Sequence, residues 1–345
     1  MAPQTSSSVN GESTVNDKHW VTRSIMAARG VAGKETGKKH VLTEADQKTF
    51  HYVYGPYAAP TLTVDPGDTV VVETQDAFGG AIKSESDKPS EKTNHPYLNP
   101  QSGPIFVRGA KKGDCLAVHI KAVETRGPQP AGTTCLIPEF GGLVGTSMTA
   151  TLNAPLPEIV KKVVIDEKGV HWDNLILPYE PFIGTIGVSP QIEAISSLQP
   201  DYHGGNMDLP DVRPGAIIYL PVHVDGALLF VGDCHATQGD GELTGVAMEQ
   251  AATITATVDL IKDWTFAWPR LETEDFIMTI GSARPMEDAA RIAYRELTRW
   301  MATDYGFKEL DAYMLLGQVG RVRLGNMVDP KYTMGASILK KYVGG

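Results

Sequence analysis

From about residue 60, apolar residues fall in short β-branched runs bounded by turn formers, a pattern that predicts strands. Residues 62–64, 70–73, 105–108 and 116–123 are the clearest runs. Pro66-Gly67-Asp68, Lys112-Gly113-Asp114 and Pro214-Gly215-Ala216 each precede an apolar run, so a glycine at positive φ is expected to turn the chain into each strand. Residues 163–165 and 170–172 flank Asp166-Glu167-Lys168-Gly169, which predicts a hairpin with Gly169 at the positive-φ position. A second hairpin is expected between residues 217–224 and 227–231, joined by Asp225-Gly226. Its second strand would deliver the chain directly to Asp233 and His235.

Helical spacing enters late. Pro285 suits a first helical turn, Glu287 and Asp288 complement its positive dipole end, and Ala290, Ala293, Leu297 and Trp300 recur at helical intervals before Gly306. Residues 308–318 and 331–342 are further helical candidates. The fold class read from this pattern is mainly β, of α+β type, with intertwined antiparallel β-sandwich-like units and helices near the C-terminus. Residues 1–40 are expected to form a flexible tail. Residues 41–345 are expected to form the functional unit, divided into intertwined β subdomains at about 41–150 and 151–345. Residues 79–99 are polar and lack a period, so they read as a long excursion between strands, and long loops of this kind are often functional.

A 345-residue chain with 42% hydrophobic residues can bury a sizeable core. No apolar run approaches the roughly 18–20 residues that cross a bilayer, and the first 18 residues lack the basic start and apolar centre of a secretory signal. Cys115, Cys135 and Cys234 are too few and too scattered for a disulfide framework or a cysteine zinc finger. A reducing cytoplasm is the expected compartment. A formal net charge of −10 argues against nucleic acid as a partner.

The segment from Asp233 to Glu242 collects Asp233, His235, Gln238, Asp240 and Glu242 around Gly239 and Gly241. In an extended strand Asp233 and His235 leave the same face, where a carboxylate and an imidazole could hold one cation. The glycines would let the backbone turn and bring Asp240 and Glu242 back to the same pocket. Zinc accepts this mixture of nitrogen and oxygen ligands. A second constellation is His203-Gly204-Gly205-Asn206-Met207-Asp208, and a third is His95 within His95-Pro96-Tyr97-Leu98-Asn99-Pro100. Cys234 adjoins His235 but points to the opposite strand face, which makes it a packing residue and not a nucleophile. His223 reads as a structural strand histidine, and Ser196-Ser197 lacks the elbow of a serine hydrolase. Gly30, Gly33 and Lys34 are spaced too closely for a phosphate loop.

At these residues the chain resembles the acetamidase/formamidase family, through His203-Gly-Gly-Asn206-Met-Asp208, Pro221-Val-His223-Val and above all Gly232-Asp233-Cys-His235-Ala-Thr-Gln238-Gly-Asp240-Gly-Glu242. The similarity extends from about residue 45 to 330, through residues 69–76, Gly103-Pro104-Ile105, Gly109-Ala110 and residues 184–190. The resemblance implies hydrolysis of short aliphatic amides such as formamide or acetamide to a carboxylate and ammonia by a β-rich homo-oligomer holding a divalent metal, and the mixed nitrogen and oxygen ligands make zinc the expected ion ahead of calcium. It implies Asp233, His235, Asp240 and Glu242 as the site, with His203, Asn206 and Asp208 beside it.

The combined expectation is a small-molecule amide substrate, with neither membrane nor nucleic acid as a partner. Asp233, His235, Asp208 and His95 are the candidate metal ligands, with Asp240 as an alternative to Asp208. Glu242, Asp240 and Gln238 are the catalytic candidates, with Glu242 as the acid-base group. His203, Gly204, Gly205 and Asn206 would line the substrate side. Two competing readings remain: a C–N hydrolase for a bulkier amide or urea-like compound, and a non-catalytic protein that binds a small molecule or cation.

Overall fold

The computed structural model describes residues 37–127, 131–144 and 155–344. The expected tail over residues 1–40 lies outside them as far as residue 36, and so does the glycine segment at 30–36. Among the described residues, nine strands form one sheet. Their spatial order is Lys39–Leu42, Asp68–Thr74, Ala252–Ile261, Cys115–Thr125, Ile217–Pro221, Arg270–Glu272, Phe276–Ala283, Tyr332–Leu339 and Arg321–Asn326. A second sheet runs Leu175–Leu177, Gly169–Trp172, Ile159–Asp166, Ala131–Leu136, Glu249–Gln250, Leu229–His235, Phe182–Val188 and Gly204–Asn206. Gln101–Val107 also pairs with Leu229–His235, and Leu62–Val64 lies beside Gln101–Val107. Between the named strands of the described residues, pairing is antiparallel except for Lys39–Leu42 with Asp68–Thr74 and Leu62–Val64 with Gln101–Val107.

The inner faces of the two sheets share one core. Val70, Val72, Val118, Ile120 and Ile254 of the nine-stranded sheet cluster with Ile105, Ile183, Ile186, Val231 and Cys234 of the second. A separate core joins the helix Met286–Asp304 to the nine-stranded sheet, where Ala293, Leu297 and Trp300 meet Ala117, Tyr219, Ile277 and Ala336. The result is a mainly β fold of helix, sheet and sheet. Both sheets contain strands from both sides of residue 150, and non-local pairs such as Asp68–Thr74 with Ala252–Ile261 hold them together. The sheet boundary therefore does not follow the sequence boundary.

The turns before the strands have the expected glycines at positive φ, namely Gly67 (90°), Gly113 (96°) and Gly215 (92°). The hairpin at 166–169 is present, with Ile165 opposite Val170 and Asp166 opposite Gly169. The second expected hairpin is absent. Ile217–Pro221 pairs with Cys115–Thr125 and Arg270–Glu272 in one sheet, whereas Leu229–His235 belongs to the other. Gly226 does turn the chain, but Ala227 and Leu228 continue in the left-handed region at 58° and 56°. The chain thus leaves the plane of the first sheet and crosses to the second.

Helices are found at Met286–Asp304 and Glu309–Val319, in place of the expected 285–305 and 308–318. Ala289, not Ala290, takes the buried position of the first turn. The helix expected over 331–342 is a strand, Tyr332–Leu339, followed by a short 3₁₀ turn. It lies between Phe276–Ala283 and Arg321–Asn326, and its Thr333 and Ile338 favour that state. The excursion at 79–99 contains one short helix, Pro89–Lys92. Among the described residues no helix is long and apolar enough to cross a membrane.

Candidate active site

Leu229–His235 is buried along its whole length, flanked by Phe182–Val188 on one side and by Gln101–Val107 and Glu249–Gln250 on the other. It ends at a fully buried imidazole, His235. Nδ1 of His235 lies 2.9 Å from Gln238 Oε1. Gln238 Nε2 donates to the carbonyls of Asp208 (2.8 Å) and Gly325 (3.1 Å), and an amide so committed presents its oxygen to the ring. Nδ1 therefore carries the proton and donates it, which leaves the Nε2 lone pair as the free donor.

Carboxylates surround that nitrogen. Asp233 Oδ1 lies 3.4 Å and Glu249 Oε2 3.3 Å from His235 Nε2, and register places Glu249 directly opposite His235. Asp208 and Glu242 form a second group of potential ligands with the same histidine, while Asp233 and Glu249 form the first, and within each group the ligand atoms lie within 4.8 Å of one another. Asp208 Oδ1, Asp233 Oδ1, His235 Nε2 and Glu249 Oε2 are all buried without a hydrogen-bond partner. Buried polar atoms are seldom left so. Gathered around one imidazole in two overlapping groups, they match the donor types of a divalent cation.

Electrostatics lead to the same place. Burial raises Asp208 well above the usual carboxylate range, and the charges of Glu242 and Asp329 add to it. Burial raises Glu242 in the same way against the pull of His235. It pushes Glu249 and Asp329 each up to about 7. Burial would also raise Asp233, but His235 and the Thr185 hydroxyl beside it hold its carboxyl below the ordinary value. His235 is opposed by burial yet raised well above its usual range by Glu249 and Asp233. Like charges this close demand a compensating positive charge, and a proton on one imidazole is small compensation for this many carboxyl groups.

A second layer of polar groups holds the first. Asp233 Oδ2 accepts from Asn99 Nδ2 (2.9 Å) and Thr185 Oγ1 (2.8 Å), which turns Oδ1 toward the histidine. Asn206 Oδ1 accepts from Asn99 (2.9 Å) and shares the single Thr185 hydroxyl hydrogen with Asp233, and its Nδ2 donates to Asp329 Oδ2 (2.9 Å). Arg284 Nη2 donates to the Asp329 carbonyl at 2.6 Å. Gly184 lies against the cluster with no room for a side chain. A Cβ there would stand 2.7 Å from the Asp233 carbonyl oxygen and 2.8 Å from both Asp208 Oδ1 and His235 Cε1.

The cluster opens into a cavity of about 540 Å³, lined by Asn99, Asn206, Asp233, Glu242, Glu249 and Asp329 together with apolar side chains from several loops. The sequence candidates divide against this geometry. Asp208, Asp233, His235, Gln238 and Glu242 are brought together. Asp240 is not: it is exposed, and its carboxylate accepts from Arg323 (3.0 Å). Gly241 takes φ 90° and returns Glu242 inward, but its N–H is bound to the Leu324 carbonyl, which leaves Asp240 on the outside. His95 is exposed at the cavity lining and belongs to neither group of potential ligands. Of the glycine-rich motif, only Asn206 lines the cavity. His203 is buried edge-on against Tyr54, with ring centroids 4.7 Å apart, and Gly204 and Gly205 pair with Gly187 and Ile186 in the sheet.

Glu249, Asp329, Asn99 and Thr185 are site residues that sequence reasoning missed. Glu249 carried a signal, an isolated acid within the otherwise apolar Val246-Ala247-Met248-Glu249 run. Thr185, alone among apolar residues of its strand, carried a fainter one. Asp329 reads as an ordinary turn residue before Pro330 and gave none. Cys234 points away into the core, and burial pushes its thiol up to about 12. That is the behaviour of a packing residue.

The model of the Acetamidase/Formamidase family matches residues 35–202 and 191–336. The solved acetamidase of Yersinia enterocolitica is 55% identical, covers 94% of this chain and 99% of its own, and superposes with a TM-score of 0.92. The solved acetamidase of Bacillus halodurans is 33% identical over 89% of this chain and 100% of its own, with a TM-score of 0.80. A formamidase of Methylophilus methylotrophus is 27% identical over 62% of this chain and 64% of its own length. The chain spans just under two thirds of the length of the first curated relatives it matches. With the family model aligned over most of its length, the chain belongs to the Acetamidase/Formamidase family.

Proposed function

We propose that this protein hydrolyses a linear primary amide, the class that includes formamide and acetamide, to a carboxylate and ammonia at the His235 cluster. The single observation that carries the reading is the gathering of orphaned buried atoms of Asp208, Asp233 and Glu249 around His235, beside a cavity. The names of its relatives supply the bond type. Asp208, Asp233, His235 and Glu249 would hold a divalent cation. Such an ion, when bound, polarises a carbonyl and lowers the pKa of a water towards neutrality. An imidazole nitrogen at the centre of the set favours zinc over calcium, which prefers an all-oxygen shell.

The chain's own groups then divide the work. Gln238 keeps His235 in the tautomer that presents Nε2. Asn99 and Thr185 keep Asp233 Oδ1 turned inward. Glu242 is at 7% exposure the most accessible carboxyl group of the cluster, and one of its oxygens is fixed by the Ala247 N–H at 3.1 Å. Its other oxygen is placed to take a proton from the attacking water and pass it to the departing nitrogen. In the net reaction a C–O bond forms, the C–N bond breaks, and nitrogen leaves as ammonia.

The test is ammonia release from formamide and acetamide combined with elemental analysis, before and after chelation. Zinc near one equivalent or more, with activity lost on chelation and restored by the metal, supports the reading. Turnover that survives complete metal removal refutes the role given to the cluster. Glu242→Gln should keep the metal content while lowering turnover by about 10² to 10⁴.

A further inference from the structure

The cavity beside the cluster is far larger than a formyl or acetyl group requires. Its volume of about 540 Å³ falls within the roughly 300–1,000 Å³ of sites that enclose whole drug-sized ligands. Phe78, Leu98, Ile137, Phe140, Val246 and Val328 line it, so the space beyond the carboxylates is bounded largely by apolar surface.

That wall is built into the fold. Phe78 and Val246 belong to a buried apolar cluster against which Leu98 and Ile137 pack. Ile137 and Phe140 lie on one turn, in which the Phe140 N–H donates to the Ile137 carbonyl (3.2 Å). The chain just after that turn is tied to the loop of Glu242, because the Gly142 N–H donates to the Leu243 carbonyl (2.8 Å), and that loop is itself closed by the Gly245 N–H donating to the Glu242 carbonyl (2.7 Å). The Phe140 ring occupies the space a side chain at Gly245 would need, its carbons 2.5 Å from the position of a Cβ there. The loop that carries the acid-base carboxylate thus also seats an aromatic wall.

We propose that this site takes primary amides whose acyl group is apolar and of aryl size, such as phenylacetamide, in preference to acetamide, with Phe140 and Ile137 as specificity-determining residues. The inference rests on the amidase reading above and names the substrate class of that same site. No step of the reaction changes, since the longer acyl group is carried unaltered into the carboxylate product.

The experiment is kcat/KM for ammonia release by the metal-loaded protein across acetamide, butyramide, hexanamide and phenylacetamide, in wild type, Phe140→Ala and Ile137→Ala. Each methylene that becomes buried should raise kcat/KM about fourfold, which puts hexanamide, with four more methylenes, about 10²-fold above acetamide, and phenylacetamide at least as far above it. The phenylacetamide-to-acetamide ratio should fall about tenfold in at least one of the two variants, each made in a partly exposed turn outside the main core. Acetamide turned over as fast as the larger amides, or a ratio unchanged in both variants, overturns the inference and leaves the amidase reading standing. Failure of every amide in the series with metal bound overturns the amidase reading itself, and the substrate class falls with it.

Discussion

Gly184→Ala is the sharpest test of whether the cluster is held rigidly. The added methyl would meet Asp208 Oδ1 and His235 Cε1 at 2.8 Å and the Asp233 carbonyl oxygen at 2.7 Å, whereas ordinary contact begins near 3.4 Å. The difference, 3.4 minus 2.8, means that each of the two side chains must retreat by about 0.6 Å. Neither can do so freely. His235 is tethered through Nδ1 to Gln238, and the Asp208 backbone N–H is bound to the Gly184 carbonyl itself at 3.0 Å.

Overpacking of this kind costs about 1–3 kcal/mol of stability. A shift of this size exceeds the roughly 0.5 Å tolerance of a preorganised site, so metal affinity should fall about 10- to 100-fold and kcat/KM by a similar factor. Chemical denaturation, elemental analysis after dialysis against limiting zinc, and ammonia release measure the three quantities. Gly239→Ala in the neighbouring loop is the control, because nothing lies within 4 Å of the Cβ it would add and its φ is not positive. Wild-type metal content and turnover in Gly184→Ala would refute the claim that Asp208 and His235 are fixed against this strand.

Other consequences follow from the same geometry. Gln238→Glu keeps an acceptor for His235 but loses both donations to backbone carbonyls, and metal affinity by titration should drop about 10- to 100-fold; an unchanged affinity would remove Gln238 from the positioning role. Chelation should destabilise the protein by about 2.7 kcal/mol relative to a state with zinc at a hundred times its Kd, read from denaturant midpoints; a midpoint unmoved by zinc or chelator would count against the ion. His203, held down to about 3 by burial and then by the charges of His223 and Lys331, stays neutral when folded and protonates on unfolding below about 6.5. Stability is therefore lost as pH falls through that value, by about 2 kcal/mol at pH 5. His203→Leu should lose this part of the slope, and parallel stability–pH curves for the two proteins would show that His203 does not supply it.

Much of this fold is legible in the sequence because its strands announce themselves locally. The Gly-Asp and Gly-Ala turns and the β-branched runs are properties of a few adjacent residues. Pairing partners are not. Ile217–Pro221 and Leu229–His235 read as a hairpin because Asp225-Gly226 stands between them, yet two further left-handed residues send the second strand into another sheet. The strand Tyr332–Leu339 escaped detection for a related reason. It is buried on both faces between Phe276–Ala283 and the edge strand Arg321–Asn326, so it lacks the alternation that marks a half-exposed strand.

The site divides along the same line. Asp233, His235, Gln238 and Glu242 are legible because they sit within one strand and its turn, but Asp240 shares that turn and faces Arg323 instead. Sequence proximity cannot distinguish residues on opposite sides of a turn whose direction is fixed by a hydrogen bond to Leu324, far along the chain. Glu249 and Asp329 enter only through strand register and through Asn206. The polar layer behind the cluster runs from Asn99 through Thr185 and Asn206 to Asp329, so it closes only when distant strands have met. Folding therefore has to bring these carboxyl groups together before any one segment can bind a cation tightly, and binding and folding are thermodynamically linked. An isolated peptide covering residues 229–250 carries His235 and three of the acids, but lacks Asp208 and the groups that aim Asp233. Its zinc affinity, set against that of the whole chain, measures how much of the site the fold creates.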